Sequence, residues 1–96
     1  MELTQQKTIV VNGRMYAYDV YIGRPSKWGN PFKIGDGWTR EDVIWAYRRW
    51  ILNQPTLLAE LPELAGKRLG CWCSPLACHG DVLVELIENG VEVAGG

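Results

Sequence analysis

The sequence has no excess charge of either sign: ten Lys and Arg stand against eleven Asp and Glu, for a formal net charge of -1. That balance excludes a global field drawing the chain onto nucleic acid or an anionic membrane, and leaves only local basic patches. Nowhere do 18 apolar residues run together, and the start MELTQQK has no basic head followed by an apolar stretch. Neither a transmembrane helix nor a secretory signal is expected, no membrane partner is implied, and the expected compartment is the cytoplasm.

Cysteine is scarce and confined. All three cysteines fall between positions 71 and 78, and the one histidine, His79, follows directly. Such crowding in a reducing compartment argues against a disulfide framework and for metal binding or thiol chemistry. A second domain is excluded by length: 96 residues bury one modest core, roughly 60–65% of the unfolded surface. Residues 1–96 are read as one domain, with 1–6 and 91–96 as frayed or edge segments. What is present in quantity is hydrophobic and aromatic: 47% hydrophobic residues, with five Trp and four Tyr, the composition of an ordered globular chain.

Residues 7–22 read as two β-rich runs about Asn12-Gly13, a dipeptide suited to a two-residue hairpin turn. The stretch from Gly23 to Trp38 carries four glycines and two prolines and leaves no room for a regular element; Trp28, Phe32 and Trp38 imply that this long loop packs down. Thr39 followed three residues later by Asp42 resembles a capping box, and Val43, Tyr47, Trp50 and Ile51 then repeat at helical spacing, which predicts a helix from about Arg40 to Leu52. Pro55 opens a shorter helix that Pro62 disturbs. Lys67 to Cys73 reads as a buried strand, and Gly80-Asp81 starts a last helix with Gly90 as its stop and VEVAGG as a short edge strand beyond.

The cysteine motif therefore lies between a strand and a helix. In Cys71-x-Cys73-x4-Cys78-His79, the strand alternation projects Cys71 and Cys73 to one face and Trp72 to the other. A turn through Ser74-Pro75-Leu76-Ala77 brings Cys78 or His79 back, giving three or four soft and borderline ligands suited to tetrahedral zinc. Two other readings stand beside it. Cys78, just before a helix and next to an imidazole, has the setting of a lowered-pKa nucleophile, with His79 and Asp81 as further catalytic candidates. Alternatively the cysteines only pack, and Asp81 only caps the helix.

In GRPSKWGNPF, Arg24, Ser26, Lys27 and Asn30 supply donors for phosphate or carboxylate oxygens, and Trp28 is the candidate for stacking on a base. The string matches neither a P-loop nor a dinucleotide fingerprint.

YIGRPSKWGNPFKIGDG, AYRRWI and LPELAGKRLGCWCSPLACHGDVLVELI resemble the bacterial and phage family known as domain of unknown function 4326, over about residues 20–88. The resemblance implies that the segments Gly23 to Phe32 and Leu69 to Asp81 form opposing walls of one pocket, in a bacterial or infected host cell, and implies no activity.

The expected fold is α/β (α+β): a small mixed sheet, with an N-terminal β-hairpin and the Lys67–Cys73 strand, covered by two or three helices. The expected function is a small domain whose Cys71, Cys73, Cys78 and His79 hold zinc beside a loop, Arg24, Ser26, Lys27, Trp28 and Asn30, that binds a ligand or partner. The alternatives are an enzyme of nucleotide or nucleic-acid metabolism using Cys78 and His79 on an anionic nucleotide-like substrate, and a phage-type effector that binds a host protein through exposed tryptophans.

Overall fold

The computed structural model describes residues 7–73 and 76–89. Its sheet has three strands: β1 (Ile9–Asn12), β2 (Val20–Tyr21) and β3 (Arg68–Cys71), in the order β1-β3-β2. Helix α1 (Arg40–Ile51), the one-and-a-half-turn α2 (Pro55–Glu60), a 3-10 turn (Leu61–Leu64) and α3 (His79–Asn89) complete the described chain. The expected α/β class is therefore found, with three helices and a small sheet.

The hairpin is not. β1 and β2 each pair in parallel with β3, Val10 opposite Leu69 and Val20 also opposite Leu69, so the central strand separates them and the small sheet is parallel rather than mixed. Asn12 does open a turn: its side chain accepts from Arg14 N–H and its carbonyl from the N–H groups of Met15 and Tyr16. The turn redirects the chain across β3 instead of back along β1. This crossing needs a strand without a side chain beneath it, and Gly70 supplies that: a Cβ there would meet Tyr18 Cγ at 2.5 Å. Asp19 then pins the crossing to the start of β3, donating its N–H to Arg68 O and accepting from Arg68 N–H at Oδ2, both at 2.8 Å.

The helices follow local signals. Thr39 Oγ1 accepts from Asp42 N–H at 3.1 Å and Asp42 Oδ2 from Thr39 N–H at 2.8 Å, the reciprocal capping box expected from the sequence. Pro55 stands at the start of α2, and at Pro62 the chain tightens into the 3-10 turn. The Gly90 stop, the VEVAGG strand, residues 1–6 and the Ser74-Pro75 bend lie outside the described residues.

Helix α3 packs against β1 and α1 packs against α3, around a core of Ile22, Tyr47, Ile51, Leu69, Val82 and Leu83. Tyr47 is fully buried, and its hydroxyl donates to Trp28 O at 2.7 Å, fastening the Gly23–Trp38 loop to α1. Burial pushes that phenol well above its ordinary range, so the hydroxyl stays a donor at every physiological pH.

Candidate functional site

β2 and β3 end side by side, so the residues that follow them, Gly23-Arg24 and Trp72-Cys73, leave the sheet at the same edge. In parallel α/β sheets this carboxyl edge is where ligands bind. A cavity of about 560 Å³ opens there. The Gly23–Phe32 segment and the cysteine segment do form its walls, together with α1.

Cys71, Cys78 and His79 are buried residues of its lining. The alternation of β3 turns Leu69 and Cys71 inward and Trp72 outward, as its sequence implies; Trp72 is 45% exposed, with the Arg14 guanidinium 5.2 Å above its ring. Cys71 and Cys78 are buried, with their Sγ atoms 3.1 Å apart. Cys73, half-buried, donates its N–H to Cys71 Sγ at 3.3 Å.

Cys78 and Asp81 start α3 together. The Cys78 sulfur accepts from Gly80 N–H at 3.3 Å, and Asp81 Oδ2 accepts from Cys78 N–H at 3.1 Å, a capping arrangement with a thiol in the usual hydroxyl position. The hydrogen bond with Cys71, burial and the neighbouring sulfur push the Cys78 thiol far above its ordinary value. Burial and Cys71 push Cys73 up as well, against an opposing contact from Arg40. Cys73 and Cys78 are therefore held protonated, and the activated Cys78 thiolate foreseen from the helix start is not what this packing produces.

His79 is buried, and its ring is engaged by Ile22 and Tyr47. Its Nε2–H donates to Ile22 O at 2.7 Å, and its ring meets Tyr47 edge-on at a 5.0 Å centroid distance. Desolvation lowers its pKa, outweighing the hydrogen bond to Ile22 and the Cys71 field, so the ring is neutral. Among the described residues no three His, Cys, Asp or Glu side chains are grouped to hold a metal ion.

The five loop candidates separate. Arg24 and Asn30 line the cavity; Asn30 is also the loop's anchor, with Nδ2 donating to Val43 O and Oδ1 accepting from Phe32 N–H. Ser26 accepts from Trp28 N–H inside the turn. Lys27 is paired with Glu60 at 2.7 Å and Glu63 at 3.4 Å, away from the cavity. Trp28, expected to pack beneath the loop and also the candidate for stacking, is only 2% exposed and belongs to the core: Tyr47 and the α1 face need a large apolar partner where the loop folds back.

Sequence reasoning missed Lys33 and Arg40 as cations of this cavity and Tyr21 and Trp72 as rings on it, beside Phe32 at the end of the Gly23–Phe32 wall. Strand alternation pointed the other way for Trp72, to the face opposite Cys71, and it reaches the cavity because β3 ends at Cys71. Arg40 bonds Ala77 O at 3.1 Å and so braces the segment before α3. Tyr21 and Trp72 lie tilted at 44° with centroids 5.5 Å apart, and Tyr21 Oη donates to Arg24 O at 3.0 Å. Arg24, Lys33 and Arg40 thus face a space that no described carboxylate lines.

Residues 5–89 match a family described as a domain of unknown function (DUF4326). The chain is 37% identical over 88 residues to an uncharacterized protein of Acanthamoeba polyphaga mimivirus, an alignment covering 73% of this chain and 67% of that protein. It is also 37% identical over 84 residues to an uncharacterized 12.4 kDa protein in the nrdA-td intergenic region of Enterobacteria phage T4, covering 83% and 77% of the two. No solved structure matches the chain.

Proposed function

The chain belongs to the DUF4326 family, whose description names no reaction, and we propose from the site itself that the cavity binds a small anionic ligand with a planar ring, a nucleotide or nucleotide-like molecule. The observation that carries this reading is the charge of the cavity: three cations and no carboxylate among its described lining residues, in a protein whose net charge is -1. Three cations concentrated around one concave space attract an anion more strongly than the same charges spread over a surface. Tyr21, Phe32 and Trp72 on the same cavity supply apolar faces for a ring. A cavity of about 560 Å³ is in the size range of small-molecule sites.

Binding is favoured over thiol catalysis by what the sulfurs and the imidazole already do. Cys78 caps α3, Asp81 completes the cap and His79 holds the end of β2, so each of the three catalytic candidates has a structural task. Amide chemical-shift mapping with a panel of nucleoside phosphates tests the reading. Shifts should gather at Gly23–Arg24, Lys33 and Trp72–Cys73; scattered shifts, or none, would refute it.

A zinc site is the second reading, supported by three sulfurs on one wall of the cavity. Tetrahedral zinc with bonds of about 2.3 Å needs sulfurs about 3.8 Å apart, so Cys71 and Cys78 would have to separate from 3.1 Å. Cys71, Cys73 and Cys78 would be the ligands, with the fourth position open to the cavity, since the His79 Nε2 is held by Ile22 O. Elemental analysis of untagged protein, with thiols counted before and after a strong chelator, tests it: one zinc per chain and three thiols released by chelation support the site, and metal-free protein with unchanged thiol counts removes it.

A further inference from the structure

A second concave region lies on the opposite side of α1. Its floor is Ala46, its walls are Trp38, Trp45 and Trp50, and its volume is about 690 Å³. Trp45 is 59% exposed and Trp38 is 45% exposed, the latter stacked on Phe32 with rings 6° from parallel. Apolar surface concentrated in this way marks an interaction face.

The charges on this face decide what fits it. Asp42 and Arg49 both line it. They are seven residues apart, so they sit on one stripe of the helix about 10.5 Å from each other along its axis. Midway between them are Trp45 and Ala46. The Arg49 guanidinium lies 4.9 Å from the Trp45 ring and makes no ion pair among the described residues. Thr39 holds the Asp42 carboxyl below its usual value, so it is charged at neutral pH.

A stripe that reads acid, tryptophan-alanine, base is complementary to itself when reversed. We infer that this face is where two copies of the chain associate, with the α1 helices antiparallel about a two-fold axis at Trp45-Ala46. Each Asp42 then meets Arg49 of the second copy, the small Ala46 permits close approach, and the tryptophans are removed from water. This is the isologous geometry that two-fold dimers require. The inference is independent of what occupies the cavity on the other side of α1.

The test is sedimentation velocity at a series of protein concentrations and low ionic strength. The wild-type chain should move from 10.8 kDa to twice that mass as concentration rises. Arg49→Glu and Asp42→Lys should each weaken association by at least about tenfold through like-charge contacts. The double variant carrying both changes should recover to within about threefold of wild type, because the charges are again opposed across the axis. Asp42→Lys also removes a helix cap, so the rescue is the decisive arm: at about 10.5 Å the two positions cannot compensate within one helix, and recovery can come only from a second copy. Far-UV circular dichroism confirms that each variant is folded. A chain that stays monomeric at millimolar concentration, or a dimer indifferent to Arg49→Glu, or one not restored in the double variant, overturns the inference; a monomer would leave the tryptophan face to a partner of another kind.

Discussion

The sulfurs of Cys71 and Cys78 face each other at 3.1 Å in the lining of the cavity, one at the end of β3 and the other at the start of α3. A single pair of thiols thereby joins the sheet to the helix that covers it. Of the three thiols Cys73 is the most accessible, half-buried where the other two are buried.

Thiol modification should follow this order. With iodoacetamide at pH 8, peptide mapping should find Cys73 alkylated first and Cys71 and Cys78 protected until the protein unfolds. The raised Cys78 value also sets a sign: above the ordinary thiol pKa of about 8.5 the unfolded chain releases a proton that the folded chain retains. Stability should therefore fall as pH rises beyond that point, and Cys78→Ser should flatten the fall. Equal alkylation of all three thiols in folded protein would contradict the arrangement.

His79 acts at the other end of the pH scale. Its pKa is lowered first by burial, with the Ile22 hydrogen bond and the charges of Cys71, Arg24 and Asp81 as lesser influences. The unfolded imidazole binds a proton below about pH 6.5 while the folded one does not, so stability present at pH 7 is lost progressively toward pH 5. Urea titrations at the two pH values should show the loss, and His79→Gln, which can still donate to Ile22 O, should remove most of the slope. The carboxylates with lowered pKa, Asp19, Asp42 and Glu85, act lower, below about pH 4.

Tyr47→Phe removes the donor that Trp28 O relies on at 2.7 Å. A buried carbonyl left without a partner costs about 1–3 kcal/mol, which urea unfolding will read. Amide exchange in the Gly23–Trp38 loop should accelerate in the same variant, because this bond fastens the loop to α1.

Gly29→Ala tests the shape of that loop. A Cβ at position 29 would stand 2.9 Å from Arg24 N and 3.0 Å from Arg24 Cα. Backbone cannot swing aside as a side chain does, so Arg24 must move. The domain should remain folded, destabilised by about 1–3 kcal/mol, while affinity for an anionic ligand in the cavity falls by about tenfold for want of a correctly placed guanidinium.

The sequence was most legible where structure is decided within a few residues. Thr39 and Asp42 satisfy each other three positions apart, and the helix start follows from them alone. The inward Cys71 and outward Trp72 follow from the pleat of a single strand. Asn12-Gly13 misled because a turn dipeptide specifies a turn and not the strand beyond it; the partner of both β1 and β2 is β3, far along the chain, and the feature that admits the crossing, Gly70, is silent in local sequence. Trp28 left two readings open, packing under the loop and stacking on a ligand, because a tryptophan in a glycine-rich loop does one or the other according to what α1 presents; here Tyr47 makes it pack. The cavity's positive charge was half legible. Arg24 stood in a conspicuous motif, while Lys33 and Arg40 come from segments whose convergence only the fold reveals.

Anion binding in the cavity is measured most directly by isothermal titration with nucleoside mono-, di- and triphosphates and inorganic phosphate, in wild type and in Arg24→Ala with Lys33→Ala. These two cations make no ion pair among the described residues, so their loss should leave the fold intact. Saturable binding of a nucleotide with a Kd on the order of 10 μM, weaker with added salt and lost by at least about tenfold in the double variant, is the expected result. No binding of any nucleotide at millimolar concentration, or binding that the double variant leaves unchanged, would contradict it.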